Sequence, residues 1–114
     1  MANIYKNSKL DLTTNTVTTL YTVPSNSRAI VKSLLVSSDS GSDTTITVDL
    51  FDGDPASANK FTLFNVKAVV ANTSEQLLTE PLIMLENEVL QVTAADAGRL
   101  FTTASILEIN REDV

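Results

Sequence analysis

Along most of the chain, apolar and polar residues alternate in short runs broken about every ten residues by clusters of Asn, Asp, Ser, Gly or Pro, the period-two pattern of strands and turns. From Val17 to Val23 the alternation puts Val17, Thr19, Tyr21 and Val23 on one face, and Pro24 then removes a ladder donor and stops the strand. Arg28 to Ser37 reads apolar on both faces, with Ile30, Leu34 and Val36 on one and Ala29, Val31 and Leu35 on the other. That is the pattern of a strand in the middle of a core. After the turn Asp39-Ser40-Gly41-Ser42-Asp43, Thr44 to Phe51 alternates with Ile46, Val48 and Leu50 inward and Thr45, Thr47 and Asp49 outward. These two strands are expected to pair as a hairpin.

A second break at Asp52-Gly53-Asp54-Pro55 precedes a loop over Ala56 to Asn59, after which Phe61, Leu63 and Phe64 return to the core. Glu75 to Thr79, Leu82 to Leu85, Glu88 to Ala94 and Arg99 to Ile109 continue the series. Ser74 to Leu78 and Thr93 to Gly98 are too short for a 3.6-residue apolar stripe, so no helix is expected. Ala2 to Leu12 reads as a further strand, with Ile4, Leu10 and Leu12 sharing a face with Lys6 and Ser8. The expected fold is all-β: a single antiparallel β-sandwich, jelly-roll or immunoglobulin-like, of about eight short strands. Residues 1–12 form an N-terminal arm or edge strand, 13–109 the sandwich domain, and 110–114 a C-terminal tail.

Composition narrows the chemistry. A chain of 114 residues allows one domain, and 43% hydrophobic with 19% charged residues is ordinary globular material. The sequence has no Cys, His or Trp, which excludes disulfides, Cys- or His-built zinc sites and every His-dependent triad. Three well-separated glycines, Gly41, Gly53 and Gly98, permit neither a dinucleotide fingerprint nor a phosphate-cradling loop. With 14 acidic against 8 basic side chains the net charge is −6, and the cations are scattered singly, so no nucleic-acid partner is expected. Apolar runs such as Leu82-Ile83-Met84-Leu85 fall far short of the ~20 residues that span a bilayer, and the opening residues lack the apolar stretch of a signal peptide. No membrane partner and no cofactor are expected.

Oxygen chemistry remains. Asp49, Asp52 and Asp54 around Gly53 are a weak calcium candidate, since closely spaced carboxylates supply the oxygen ligands that ion takes. Their spacing departs from the EF-hand pattern, and Asp and Gly are also simply good turn residues, the preferred reading. Glu86 and Glu88, two apart, would share a face of an extended segment as paired carboxylates do in glycoside hydrolysis. Without Trp to hold a sugar ring, a solvated loop is the better reading. Arg28 reads as a solvated strand end. Lys32, on the face of Ile30 and Leu34, reads as a snorkelling surface side chain. No enzyme is expected.

The segment Leu20 to Ser38, Leu-Tyr-Thr-Val-Pro-Ser-Asn-Ser-Arg-Ala-Ile-Val-Lys-Ser-Leu-Leu-Val-Ser-Ser, resembles one that recurs in small virion proteins of tailed bacteriophages. The opening Ala2-Asn3-Ile4-Tyr5-Lys6-Asn7 and the closing Ala104-Ser105-Ile106-Leu107-Glu108-Ile109 are similar to the ends of such proteins, particularly from phages of marine bacteria. The resemblance implies an all-β, non-enzymatic structural protein of head, neck or tail, made in the host cytoplasm and found in the virion. An acidic surface is repelled by packaged DNA and favours the exterior. The expected role is therefore a capsid decoration or cement protein bound to the major capsid protein or other virion proteins, as a homo-oligomer or an array. A neck or tail ring component is the alternative, and a carbohydrate- or receptor-binding module a more distant one. Within the arm, Ile4, Tyr5, Lys6 and Leu10 are the expected interface, because an extended segment can add to a neighbour's sheet edge.

Overall fold

Valine, threonine and isoleucine favour the pleated, half-buried surface of a sheet, and the turn clusters cut the chain into pieces of strand length. In a computed structural model describing residues 2–110, these pieces form nine strands among the described residues. They are β1 (Ala2–Leu12), β2 (Thr18–Thr22), β3 (Ser27–Ser38), β4 (Thr44–Phe51), β5 (Lys60–Val69), β6 (Ser74–Gln76), β7 (Leu82–Met84), β8 (Val89–Ala94) and β9 (Leu100–Asn110). No described residue is helical. Of the expected tail, Asn110 closes β9 and 111–114 lie outside the described residues.

Two antiparallel sheets face one another. One runs β1-β9-β3-β6, with β7 also on β3; the other runs β2-β8-β4-β5. Since β6 and β7 pair with successive stretches of the same side of β3, they act as one interrupted strand, and the order is that of an eight-position jelly roll. Apart from the β4–β5 hairpin and the interrupted pair β6 and β7, successive strands pass from one sheet to the other, which closes a core of Leu12, Leu34, Ile46, Met84, Leu90, Leu100 and Ile106, all fully buried.

β3 is internal to its sheet, but only one of its faces lies in the core rather than both as the two-sided apolar pattern predicts, and it does not form a hairpin with β4. β3 pairs with β9, β6 and β7, whereas β4 pairs with β8 and β5 in the opposite sheet. The Asp39–Asp43 turn is a corner between layers, so the inward faces of the two strands oppose each other across the core instead of lying side by side. The hairpin is β4–β5, closed by the Asp52–Asn59 loop.

Bulges decide which side chains face inward, and they correct three sequence assignments. An extra residue, Lys32, between the pairs Val31↔Ile106 and Ser33↔Ser105 reverses the alternation along β3. Ala29, Val31, Leu34 and Val36 therefore all point into the core, while Ile30 and Leu35 face out. A bulge at Leu20 buries both Leu20 and Tyr21 and leaves Val17 exposed. On β5 the register shifts twice, and Phe61 stays about half exposed at the sheet edge while Leu63 and Phe64 pack against the core.

Candidate assembly surface

β1 is an edge strand that pairs at home. Its register with β9 is unbroken from Ala2↔Asn110 to Leu12↔Leu100, so its other edge carries the free backbone groups. Even-numbered residues share the inward parity of Leu12, as the alternation predicts. The facing strand β2 is only five residues long and covers the later part of β1, where the Ser8 hydroxyl donates to the Leu20 carbonyl. The earlier part overhangs. Ile4 on the inward side and Tyr5 on the outward side are both exposed, Tyr5 at 75%. The other two expected interface residues are engaged internally: Leu10 packs against the core and Lys6 is tied to a buried acid.

That acid is Glu108, in the inward register of β9 between Ile106 and the end of the strand, with 4% of its surface exposed. Its Oε2 accepts from Tyr21 Oη at 2.5 Å and from Lys6 Nζ at 3.0 Å. Burial by itself would raise the carboxyl pKa, but the hydrogen bonds from Tyr21 and Lys6 and the Lys6 charge outweigh it and hold Glu108 below the ordinary glutamate range. Burial and the adjacent carboxylate push the Tyr21 phenol well above its ordinary value. The cluster ties β1, β9 and β2, and so the two sheets, at one side of the sandwich. On the other side Lys67 Nζ meets Glu75 Oε2 at 2.8 Å, joining β5 to β6. Sequence reading passed over Glu108; its signal is an acid at an inward position of β9, opposite a strand whose own inward positions include Lys6.

One row on the outer face of each sheet stands out. Across the β2-β8-β4-β5 sheet runs the row Thr19↔Gln91↔Asp49↔Thr62, all polar. Gln91 Nε2 donates to Thr19 Oγ1 at 3.0 Å and Thr62 Oγ1 to Asp49 Oδ1 at 2.7 Å. Across the other sheet runs Tyr5↔Leu107↔Ile30↔Ile83, all with apolar bodies, flanked by Ile109 and Leu85. Ile83 is 64% exposed. Lys32 reaches across β9 to place its Nζ 5.9 Å from the Tyr5 ring centroid, snorkelling as its position predicts. Arg28, next to Ile109 in register, is exposed on the same face.

The remaining candidates serve their own turns. Asp49 faces outward beneath Thr62. Asp52 accepts from the Asn59 backbone and side chain at 3.0 and 3.4 Å, and Asp54 Oδ1 from the Ala56 N–H at 3.0 Å. Among the described residues no three acidic side chains gather as a group able to hold a metal ion. Glu88 Oε1 accepts from the Leu85 N–H at 2.8 Å, with Glu86 half-buried in the same turn.

The jelly-roll fold is similar to that of domains in viral capsid proteins. Similar solved structures include a chain from the acid-stable capsid of Helicobacter pylori bacteriophage KHP30 (TM-score 0.56, 15% identity, covering 96% of this chain and 89% of that one). Chains of infectious bursal disease virus are also similar: one in its T13 particle (TM-score 0.57, 9% identity, 93% of this chain and 30% of that one) and one in the Gx strain (TM-score 0.53, 11% identity, 97% and 30%). The present chain thus spans under a third of the length of the bursal disease virus chains but most of the KHP30 one. No family model matches the sequence, and no curated protein is similar to it in sequence.

Proposed function

We propose that this protein is a non-enzymatic structural component of a virion, docking on the assembled outer shell of a bacteriophage head as a decoration or cement subunit. The observation that carries the reading is the likeness of the whole jelly roll to a chain of a phage capsid, over nearly the full length of both. The net charge of −6 supports an exterior position, away from packaged DNA. Its partners are then the major capsid protein and further copies of itself. The shell contact is assigned to the overhang of β1, where Ile4 and Tyr5 are exposed on opposite faces beside a free strand edge that can accept a partner's strand.

The mechanism is mass action. A subunit that binds only the assembled shell stabilises it by RT ln(1 + [L]/Kd), about 2.7 kcal/mol per site at a hundred times Kd, and many such sites together resist internal pressure. Quantitative mass spectrometry of purified particles, scaled to the major capsid protein, tests the reading. Hundreds of copies per particle are expected. A few dozen or fewer would move the protein to a neck or tail ring, and absence from the particle would overturn a virion role.

A further inference from the structure

The apolar row Tyr5–Leu107–Ile30–Ile83 crosses four strands, and neighbouring strands lie about 4.8 Å apart, so it forms a continuous band over three inter-strand gaps. A row on the other sheet, Thr19–Gln91–Asp49–Thr62, is polar throughout, so strand pairing by itself does not impose an apolar row. Contiguous exposed apolar surface of this kind is rare on a protein that stays alone. Charge then points to what covers it. The face bearing the band carries Lys9, Arg28 and Lys32 against Asp11, three cations to one carboxylate, or +2; the chain as a whole is −6, so everything else sums to −8.

We infer that the outer face of the β1-β9-β3-β7 sheet is a docking surface for a second copy of this chain, which it meets through part of that copy's remaining surface, its net-acidic side. Packing the face against its own symmetry mate would bring together two faces that each sum to +2. Like charges brought together across a dry contact repel, and the self-complementary arrangement is therefore disfavoured. The contact is face to acidic side, a heterologous interface that closes into a ring or extends as an array. Lys32 Nζ stands 5.9 Å from the Tyr5 ring centroid, so its ammonium is at the β1 end of the band, where an acidic partner group can reach it. The inference rests on reading the chain as a multi-copy component, and it names the contact that copies make with one another.

Sedimentation of the full-length protein at about 100 μM, a concentration that populates contacts of micromolar Kd, tests it. Association beyond the monomer is expected, and raising the salt to about 1 M should weaken it because the Debye length shrinks to about 3 Å. Ile83→Glu and the pair Arg28→Glu with Lys32→Glu should each weaken association by tenfold or more. All these sites are exposed, so unchanged melting curves confirm that folding is intact. A wild-type protein that stays monomeric, or Ile83→Glu associating like wild type, overturns the inference. If the wild type is monomeric and Ile83→Glu instead loses binding to shells, the occupant is the shell: the second-copy assignment falls and the virion reading survives. Self-association that Ile83→Glu abolishes, with no copies in purified particles, upholds the second-copy contact and overturns the virion reading.

Discussion

The phenol of Tyr21 on β2 donates to the carboxylate of Glu108 on β9 at 2.5 Å, bridging two sheets whose backbones pack about 10 Å apart. Lys6 completes the site from the edge strand, 3.0 Å from the same oxygen and with its Nζ 6.0 Å from the Tyr21 ring centroid. A buried charge held by partners from two other strands makes the first strand part of the core's electrostatics, although its earlier residues overhang.

The folded state holds the Glu108 pKa below the ordinary value of about 4.3, so its contribution to stability is complete above that value and is lost as pH falls through the lowered folded value. Tyr21 runs the other way: its raised pKa contributes stability that is complete below about pH 10 and lost as pH rises beyond it. Thermal melting from pH 7 down to pH 3 should therefore show a steeper fall in Tm for wild type than for Glu108→Gln, with Glu108→Gln less stable at pH 7 and the two curves converging in acid. Parallel curves would remove the carboxylate from the explanation. Tyr21→Phe, which takes a donor from a buried acceptor, should cost about 1–3 kcal/mol at pH 7.

Thr102 Oγ1 is buried on the inward face of β9 with no hydrogen-bond partner. Valine has nearly the same shape and no hydroxyl to desolvate, so Thr102→Val should raise stability by about 1 kcal/mol in urea denaturation. A loss of stability would mean that the hydroxyl is satisfied in solution.

Val66 sits in the β5 bulge with φ of 51°, a left-handed conformation that a β-branched residue adopts at a cost, while its N–H reaches Thr47 Oγ1 at 3.1 Å. Val66 is exposed, so little packing is lost by replacing it. Val66→Asn should stabilise by about 1 kcal/mol, since asparagine tolerates that region. Chemical denaturation midpoints measure it, and a lower midpoint for Asn would show that the bulge holds no strain.

Removing residues 2–12 takes from β9 one of its two pairing partners, from the core Leu12, and from Glu108 its cation. Loss of cooperative unfolding by circular dichroism is expected. The substitution Ile4→Ser touches only an exposed position, on the opposite parity from the apolar band, and should change stability by less than about 1 kcal/mol while weakening shell binding. A truncated chain that still melts cooperatively would show that the first strand is dispensable to the fold.

Much of the architecture is legible from residue order. The apolar run of Arg28 to Ser37 marks a long strand, and it does pair on both edges, with β9 and with β6 and β7. Only one of its faces lies in the core; the Lys32 bulge, not burial on both sides, spreads its apolar residues over both parities. The parity of Ile4, Leu10 and Leu12 gives the inward face of β1 correctly. Illegible were the bulges at Leu20, Lys32 and Val66, since one inserted residue reverses parity without a composition signal of its own. The Asp39–Asp43 turn was equally ambiguous, because the same turn residues serve a hairpin and a corner between layers.

Local alternation, turn chemistry and the absence of Cys, His and Trp determined an all-β sandwich and excluded most catalytic chemistry, because these depend only on neighbouring residues and on which atoms the chain possesses. Only the tertiary structure decided that β3 and β4 lie in opposite sheets, that Lys6, Tyr21 and Glu108 meet, and that Tyr5, Leu107, Ile30 and Ile83 form one row. Each of these joins residues far apart in sequence, and which strands become neighbours is settled by burying all the inward faces at once, a condition no local segment encodes.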